Sequence, residues 1–102
     1  MRIISETAVR DWAKKNPEAA ASLKGWMAAA KAADWASIVD VRRTYPHADA
    51  VTVASGNTVT VFNIAGNKYR LIAAIHYNTG VVYTLALLTH AQYSKDRWKD
   101  TL

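Results

Sequence analysis

Five side chains in the second half of this sequence can hold an anion or move a proton. Lys68 and Arg70 lie in GNKYRLIAAIHY, and His90, Tyr93 and Lys95 lie in LLTHAQYSKD. Imidazole has an ordinary pKa near 6.5, so it serves as base or acid at neutral pH. A phenol can donate a proton, an ammonium neutralises an anion, and a guanidinium can grip a phosphate through two parallel N–H groups. Side chains alternate along an extended chain. Lys68, Arg70, Ile72, Ala74 and His76 therefore project to one face, and Tyr69, Leu71, Ala73, Ile75 and Tyr77 to the other. Lys68 and Arg70 then stand roughly 7 Å apart, a spacing that suits two cations around one phosphate. A solvated, charged strand start explains that pair more simply. A lone histidine at a strand end is more often a polar terminator. The case for His90 rests on its company.

Charge is distributed in favour of an anionic ligand. Thirteen Lys and Arg outnumber eight Asp and Glu, for a net charge of +5. Glu6, Asp11, Glu18, Asp34, Asp40 and Asp49 all fall in the first half, and no carboxylate occurs from Ala50 to Lys95. A site built there is electropositive. It cannot be the carboxylate cage of a two-metal nuclease unless acids from the first half reach it. The histidines His47, His76 and His90 lie in separate segments without ligand spacing, and there is no cysteine, so no metal or other cofactor is expected. GNTV and GNKY read as turns rather than phosphate loops, and no serine sits in a nucleophile elbow.

One reaction uses this set of groups without a metal. RNA carries its own nucleophile, the 2′-hydroxyl beside the scissile phosphate. A nuclease then needs a base for that hydroxyl, cations for the phosphorane charge and an acid for the leaving 5′-oxygen. The residues alone serve a non-catalytic RNA-binding module about equally well, with basic groups on the backbone and tyrosines for stacking. Asn67, Arg97 and Lys99 are further candidate RNA contacts. Trp98, in KDRWKD, can pack on the core, stack a base or meet a protein partner.

The elements that must position these groups follow from periodicity. MRII is a short strand, and Ser5 with Glu6 opens a helix with Val9, Trp12 and Ala13 on one stripe. Asn16-Pro17 ends it and starts another, with Asn16 as cap, in which Ala19, Leu23, Trp26, Met27 and Ala30 keep helical spacing to about Ala33. Ser37 caps a third short helix that ends at Tyr45-Pro46. From Ala50 the period changes to strand: VTVA, TVTVFNI, KYRLIAAIHY and VVYTLALLT, separated by turns at Gly56, Gly66 and Gly80. In the last strand Val82, Thr84, Ala86, Leu88 and His90 share a face if it runs straight to its end. If the tail turns helical at His90, Tyr93 comes next to the imidazole at i+3. The chain therefore reads as α+β. A helical hairpin packs on one face of a small antiparallel sheet of three or four strands, and the other face is free for a ligand. One domain, residues 1–102, is expected. No stretch approaches the ~20 apolar residues of a membrane span, and MRIISETAVRDW lacks the apolar centre of a secretory signal, so a cytoplasmic location is expected.

VFNIAGNKYRLIAAIHY followed by THAQYSK resembles the HigB family of type II toxins, within the RelE-like superfamily, and the helical half agrees. Leu88, Ser94 and Ala65 depart from the residues most common in that family. The resemblance implies a RelE-like fold and a ribosome-dependent mRNA endonuclease that cuts translated messages without a metal. It also implies a helix-turn-helix antitoxin as partner, HigA-like, in a toxin–antitoxin hetero-oligomer. Carried over by position, Lys68 and Arg70 hold the scissile phosphate, His90 leads as acid or base, and Tyr93 and Lys95 complete the pocket. Asn67 shapes the turn.

Overall fold

In the computed structural model, which describes residues 1–102, the chain folds as a helical layer on one face of a five-stranded sheet. The strands are β1 (Arg2–Ile4), β2 (Asp49–Thr52), β3 (Thr58–Ile64), β4 (Tyr69–His76) and β5 (Val81–Thr89). The helices are α1 (Glu6–Lys15), α2 (Ala20–Ala32), α3 (Ile38–Thr44), α4 (His90–Ser94) and α5 (Trp98–Thr101). The order in the sheet is β1-β5-β4-β3-β2, with β2 to β5 an antiparallel meander. The fold class is α+β, as the periodicity predicts. The sheet is nevertheless mixed, not wholly antiparallel, because β1 pairs with β5 in parallel through Arg2↔Val81, Ile3↔Val82 and Ile4↔Tyr83.

Helix boundaries follow local chemistry, though not always the expected caps. Asn16 closes α1 and is also the N-cap position of the turn that follows, its carbonyl accepting the Ala19 N–H at 2.9 Å, but its side chain caps nothing there. Its backbone N–H and its Nδ2 both donate to Trp12 O, at 2.9 and 3.0 Å. Pro17 then opens a single 3₁₀ turn, Pro17–Ala19, that leads into α2. Ser5 precedes α1 with a left-handed backbone (φ 70°) and makes no side-chain cap; its carbonyl accepts from the Thr84 hydroxyl at 3.1 Å. Ser37 does not cap α3 with its side chain either. There the Asp40 carboxylate accepts the Ala36 N–H at 2.9 Å. Glu6 ties α1 to α2 through Lys31, whose hydrogen bond holds the Glu6 carboxyl below its ordinary pKa.

The main core lies between helices and sheet. Val9, Leu23, Trp26, Ala30 and Val41 meet Phe62, Ile64, Leu71, Ala73 and Val82, all essentially without exposure. Phe62 is its aromatic hub, edge-on to Trp26 and Tyr45 at 5.4 Å and stacked on Trp35 at 6.2 Å. The opposite face is not free. A second cluster covers it, made by Val53, Val59, Val61, Ile72 and Trp98, with Leu88, Tyr93 and Leu102 against it. The C-terminal segment is fastened there: Lys99 O accepts from Ala54 N–H at 2.9 Å and Leu102 O from the Ser55 hydroxyl at 2.6 Å. Trp98 is thus a core residue of the second face.

A bulge in β5 decides which side of the sheet the strand end serves. Ile72 pairs with Ala86 and Ala73 with Thr84, so Leu85 is skipped. Val82 and Leu87 face the helices, whereas Ala86 and Leu88 join the second cluster. The straight alternation that places Val82, Thr84, Ala86 and Leu88 together is therefore wrong. One extra residue in a strand reverses every side chain beyond it. Leu85 itself is left exposed.

Candidate active site

The site forms where β4 begins, β5 ends and α4 starts. Arg70 and Leu88 are direct cross-strand partners on the second face, and Tyr69 pairs with Thr89. The His90 N–H donates to Lys68 O at 2.9 Å, which carries the pairing one residue past the strands. The chain then turns helical because Thr89 caps it. The Thr89 hydroxyl accepts the Gln92 N–H at 3.2 Å, and the Gln92 side chain accepts the Thr89 N–H at 2.9 Å. In this first turn Tyr93 follows His90 at i+3, as helical spacing requires.

Arg70 is the centre. It is 8% exposed although it carries a full charge. Its Nη1 donates to Asn67 O and Tyr69 O, both at 3.1 Å. Its Nη2 donates to Asn67 Oδ1 and to His90 Nδ1, the latter at 3.3 Å. A guanidinium has five N–H groups. Both on Nη1 and both on Nη2 are engaged, which leaves Nε–H. A free bidentate grip on phosphate, as the residue type suggests, is therefore unavailable unless Nη2 gives up a partner. Two consequences follow. Arg70 is fixed in place as a charge, and it dictates the state of His90. Because a guanidinium only donates, His90 Nδ1 accepts, and the proton of the neutral ring sits on Nε2.

Tyr93 completes the arrangement from the α4 side. Its ring lies 5.5 Å from the Arg70 guanidinium carbon and is stacked on Trp98, centroids 5.4 Å apart. Trp98 Nε1 donates to Tyr93 O at 3.1 Å. Trp98 thus anchors the turn that presents Tyr93, while its own ring is buried against Val59, Val61 and Ile72. Stacking a base on Trp98 is excluded by this burial.

Other expected site residues stand apart. Lys68 precedes β4, in the turn, and its ammonium pairs with Glu18 Oε2 at 3.3 Å. Glu18 Oε1 accepts from the Tyr69 hydroxyl at 3.4 Å. Lys68 and Arg70 are therefore not two free cations side by side; an acid from the first half of the chain reaches the first of them. Tyr69 is pushed above its usual pKa, by burial first and then by the Glu18 charge. Lys95 is exposed beyond α4, and Arg97 is exposed at the start of α5. Lys99 pairs with Asp96 at 3.2 Å and lies over Trp98 at 5.7 Å. Asn67 does more than shape a turn, since both its carbonyls hold Arg70. That turn is itself pinned: Ala65, at an uncommon positive φ of 53°, donates its N–H to the Ser22 hydroxyl on α2 at 2.9 Å.

Sequence reasoning missed Glu18 and Asn63. Asn63 is the cross-strand partner of Arg70 on β3 and shares its face. The available signal was one amide interrupting the β-branched run TVTVFNI.

A profile for the HigB toxin, described as the RelE-like toxic component of a toxin–antitoxin system, matches residues 19–96. That span holds Asn67, Arg70, His90 and Tyr93. The chain belongs to the HigB toxin family. A relative is the mRNA interferase HigB of Escherichia coli O6:H1. It is 27% identical over 95 residues, which cover 93% of this chain and 90% of that protein. The family match assigns this chain to the toxin side of a toxin–antitoxin pair. No helix in the structure is long and apolar enough to cross a membrane.

Proposed function

We propose that this HigB-family toxin is an endoribonuclease that cuts mRNA on the ribosome without a metal ion. The observation that carries the reading is the contact between Arg70 Nη2 and His90 Nδ1, which joins a buried cation to a proton carrier at the exposed end of a strand. A phosphate that arrives at Arg70 competes for the same Nη2–H, because a charged acceptor binds a guanidinium N–H more strongly than a neutral imidazole does. When Nη2 turns to the phosphate, the Nδ1 lone pair of His90 is released. His90 then takes the proton of the neighbouring 2′-hydroxyl, and the 2′-oxygen attacks phosphorus. The bond from phosphorus to the 5′-oxygen breaks, and that oxygen takes a proton from the Tyr93 phenol. The products are a 2′,3′-cyclic phosphate and a 5′-hydroxyl, with His90 protonated and Tyr93 deprotonated until solvent restores both.

Each residue has a part in that scheme. Arg70 balances the phosphorane charge, and Asn67 holds Arg70 in position. Lys95, Arg97 and Lys99 line the approach as charges for flanking phosphates, and Lys68 joins them when RNA displaces Glu18. An antitoxin of the helix-turn-helix class covers this basic surface in a hetero-oligomer formed in the cytoplasm. General acid–base catalysis of this kind contributes about 10²–10⁴-fold in rate.

The test is induced expression without the antitoxin, with mapping of mRNA 5′ ends. Wild type should arrest growth and leave new ends in translated messages. His90→Ala and Arg70→Ala should each relieve the arrest while the purified proteins remain folded. Full toxicity of both variants would mean the active site lies elsewhere. RNA binding without any cut product on translating ribosomes would favour a non-catalytic module.

A further inference from the structure

Beside the Arg70 network lies a groove of about 660 Å³, bordered by Tyr45, Pro46, His47, Asn63 and Asn67. It falls within the roughly 300–1,000 Å³ typical of sites for small organic groups. Its polar groups are unspent. Asn67 directs its Oδ1 at Arg70, which leaves its NH₂ group without a partner in the chain. The half-buried Asn63 amide and the exposed His47 ring enter no hydrogen bond of the chain. The flat elements beside them are Tyr45, fixed edge-on against Phe62 at 5.4 Å, and Pro46. The groove also opens beside the site described above. Asn63 and Arg70 are cross-strand partners, so their Cβ atoms are about 5 Å apart, and Asn67 belongs to both.

We infer that this groove receives the nucleobase attached to the cut phosphate, and that Asn63 and His47 read its edge. The inference rests on the nuclease reading and adds a specificity site to it. A planar ring with donors and acceptors on its rim matches a groove that offers an amide oxygen, amide N–H groups and an imidazole between flat apolar edges. Placement explains why the base and its phosphate engage together. The phosphate meets Arg70 on β4, and the base attached through one sugar falls across β3 onto Asn63. Single-stranded RNA is read in this way, by unstacked bases whose edges reach side chains. Neither His47 nor Asn63 touches the reacting atoms. Both are specificity residues.

The experiment compares wild type, His47→Ala and Asn63→Ala by 5′-end mapping on one message pool with translating ribosomes. Each rate at a preferred site is normalised to a disfavoured one. Loss of a good base contact lowers discrimination by between about 5- and 100-fold. The expected result is a flattened base preference at the position next to the cut, with both proteins still folded. An unchanged preference in His47→Ala and in whichever Asn63 variant folds (Ala or Thr) overturns the inference while leaving the nuclease reading intact. A preference that stays while antitoxin neutralisation weakens also overturns it, and makes the groove a peptide site. If wild type leaves every message uncut, the nuclease reading fails and the inference goes with it.

Discussion

Replacing Arg70 by lysine keeps the charge and removes the fork, and so separates two roles that the guanidinium combines. The native group satisfies Asn67 O and Tyr69 O at 3.1 Å, Asn67 Oδ1, and His90 Nδ1 at 3.3 Å. An ammonium has three N–H groups on a single atom. At least one acceptor loses its donor, and the spread of acceptors over both ends of the fork costs a second. Hydrogen bonds to charged groups are worth about 1.5–3 kcal/mol each, so losing two costs about 3–6 kcal/mol in a dry site. Asn67 is exposed, and water replaces part of the loss. A net cost of about 2–3 kcal/mol follows. Against a total stability of about 5–15 kcal/mol, Arg70→Lys stays folded at 25 °C. Its Tm falls by roughly 10–20 °C. The activity loss is larger than charge alone predicts, because His90 is freed from its tautomer. Cleavage on translating ribosomes should fall at least about 100-fold, the lower end of acid–base contributions. The measurements are a thermal melt by circular dichroism and single-turnover cleavage of a labelled message. A Tm within about 3 °C of wild type together with cleavage within about threefold would show that a point charge suffices, and the argument from the fork would be refuted.

Three further outcomes are expected. Trp98→Ala should cost about 3–5 kcal/mol by emptying the second cluster. It should also lower cleavage by loosening Tyr93, whereas Trp98→Phe keeps the stack and loses about 1 kcal/mol for the Nε1 hydrogen bond; urea titrations of both read this directly. Deleting Leu85 removes the bulge and joins Thr84 to Ala86 with every β4 partner and face kept, Leu87 still opposite Leu71, so the variant should keep a cooperative melt, and a lost transition would contradict the register argument. Burial raises the pKa of Tyr45, Tyr69 and Tyr77, so the folded state favours their protonated forms. Their contribution is fully present below the unfolded value near 10 and is lost as pH rises beyond it, so urea midpoints should be flat from about pH 7 to 9 and fall above about 10. Tyr69→Phe should make that alkaline fall shallower.

Much of the fold was legible because its signals are local. TVTVFNI and VVYTLALLT appear as strands with the bounds their alternation predicts, since β-branched runs between glycine turns leave the backbone few alternatives. The helical stripe of Leu23, Trp26 and Ala30 is buried as its spacing requires. The helix that begins at His90 was legible as a possibility, and the Thr89 and Gln92 side chains make it real. The parallel pairing of β1 was not. A three-residue strand carries no record of which neighbour it will join, nearly eighty residues away.

Residue types determined the chemistry on offer. A carboxylate-free stretch with Arg70, His90 and Tyr93 follows from composition and order alone. Tertiary structure decided how those groups are used. The Leu85 bulge brings Leu88 to the Arg70 face, and a sequence cannot announce it because a one-residue skip depends on partners in another strand. Arg70 spends two N–H groups on the Asn67 and Tyr69 carbonyls, which are the same for every residue type, and two on the side chains of Asn67 and of His90, the latter twenty positions away in the chain. Glu18 meets Lys68 across fifty positions of chain, and Trp98 closes over a sheet face that periodicity leaves open. The sequence names the proton carriers and the cations. Only packing over long separations fixes which of them touch, and therefore which can act.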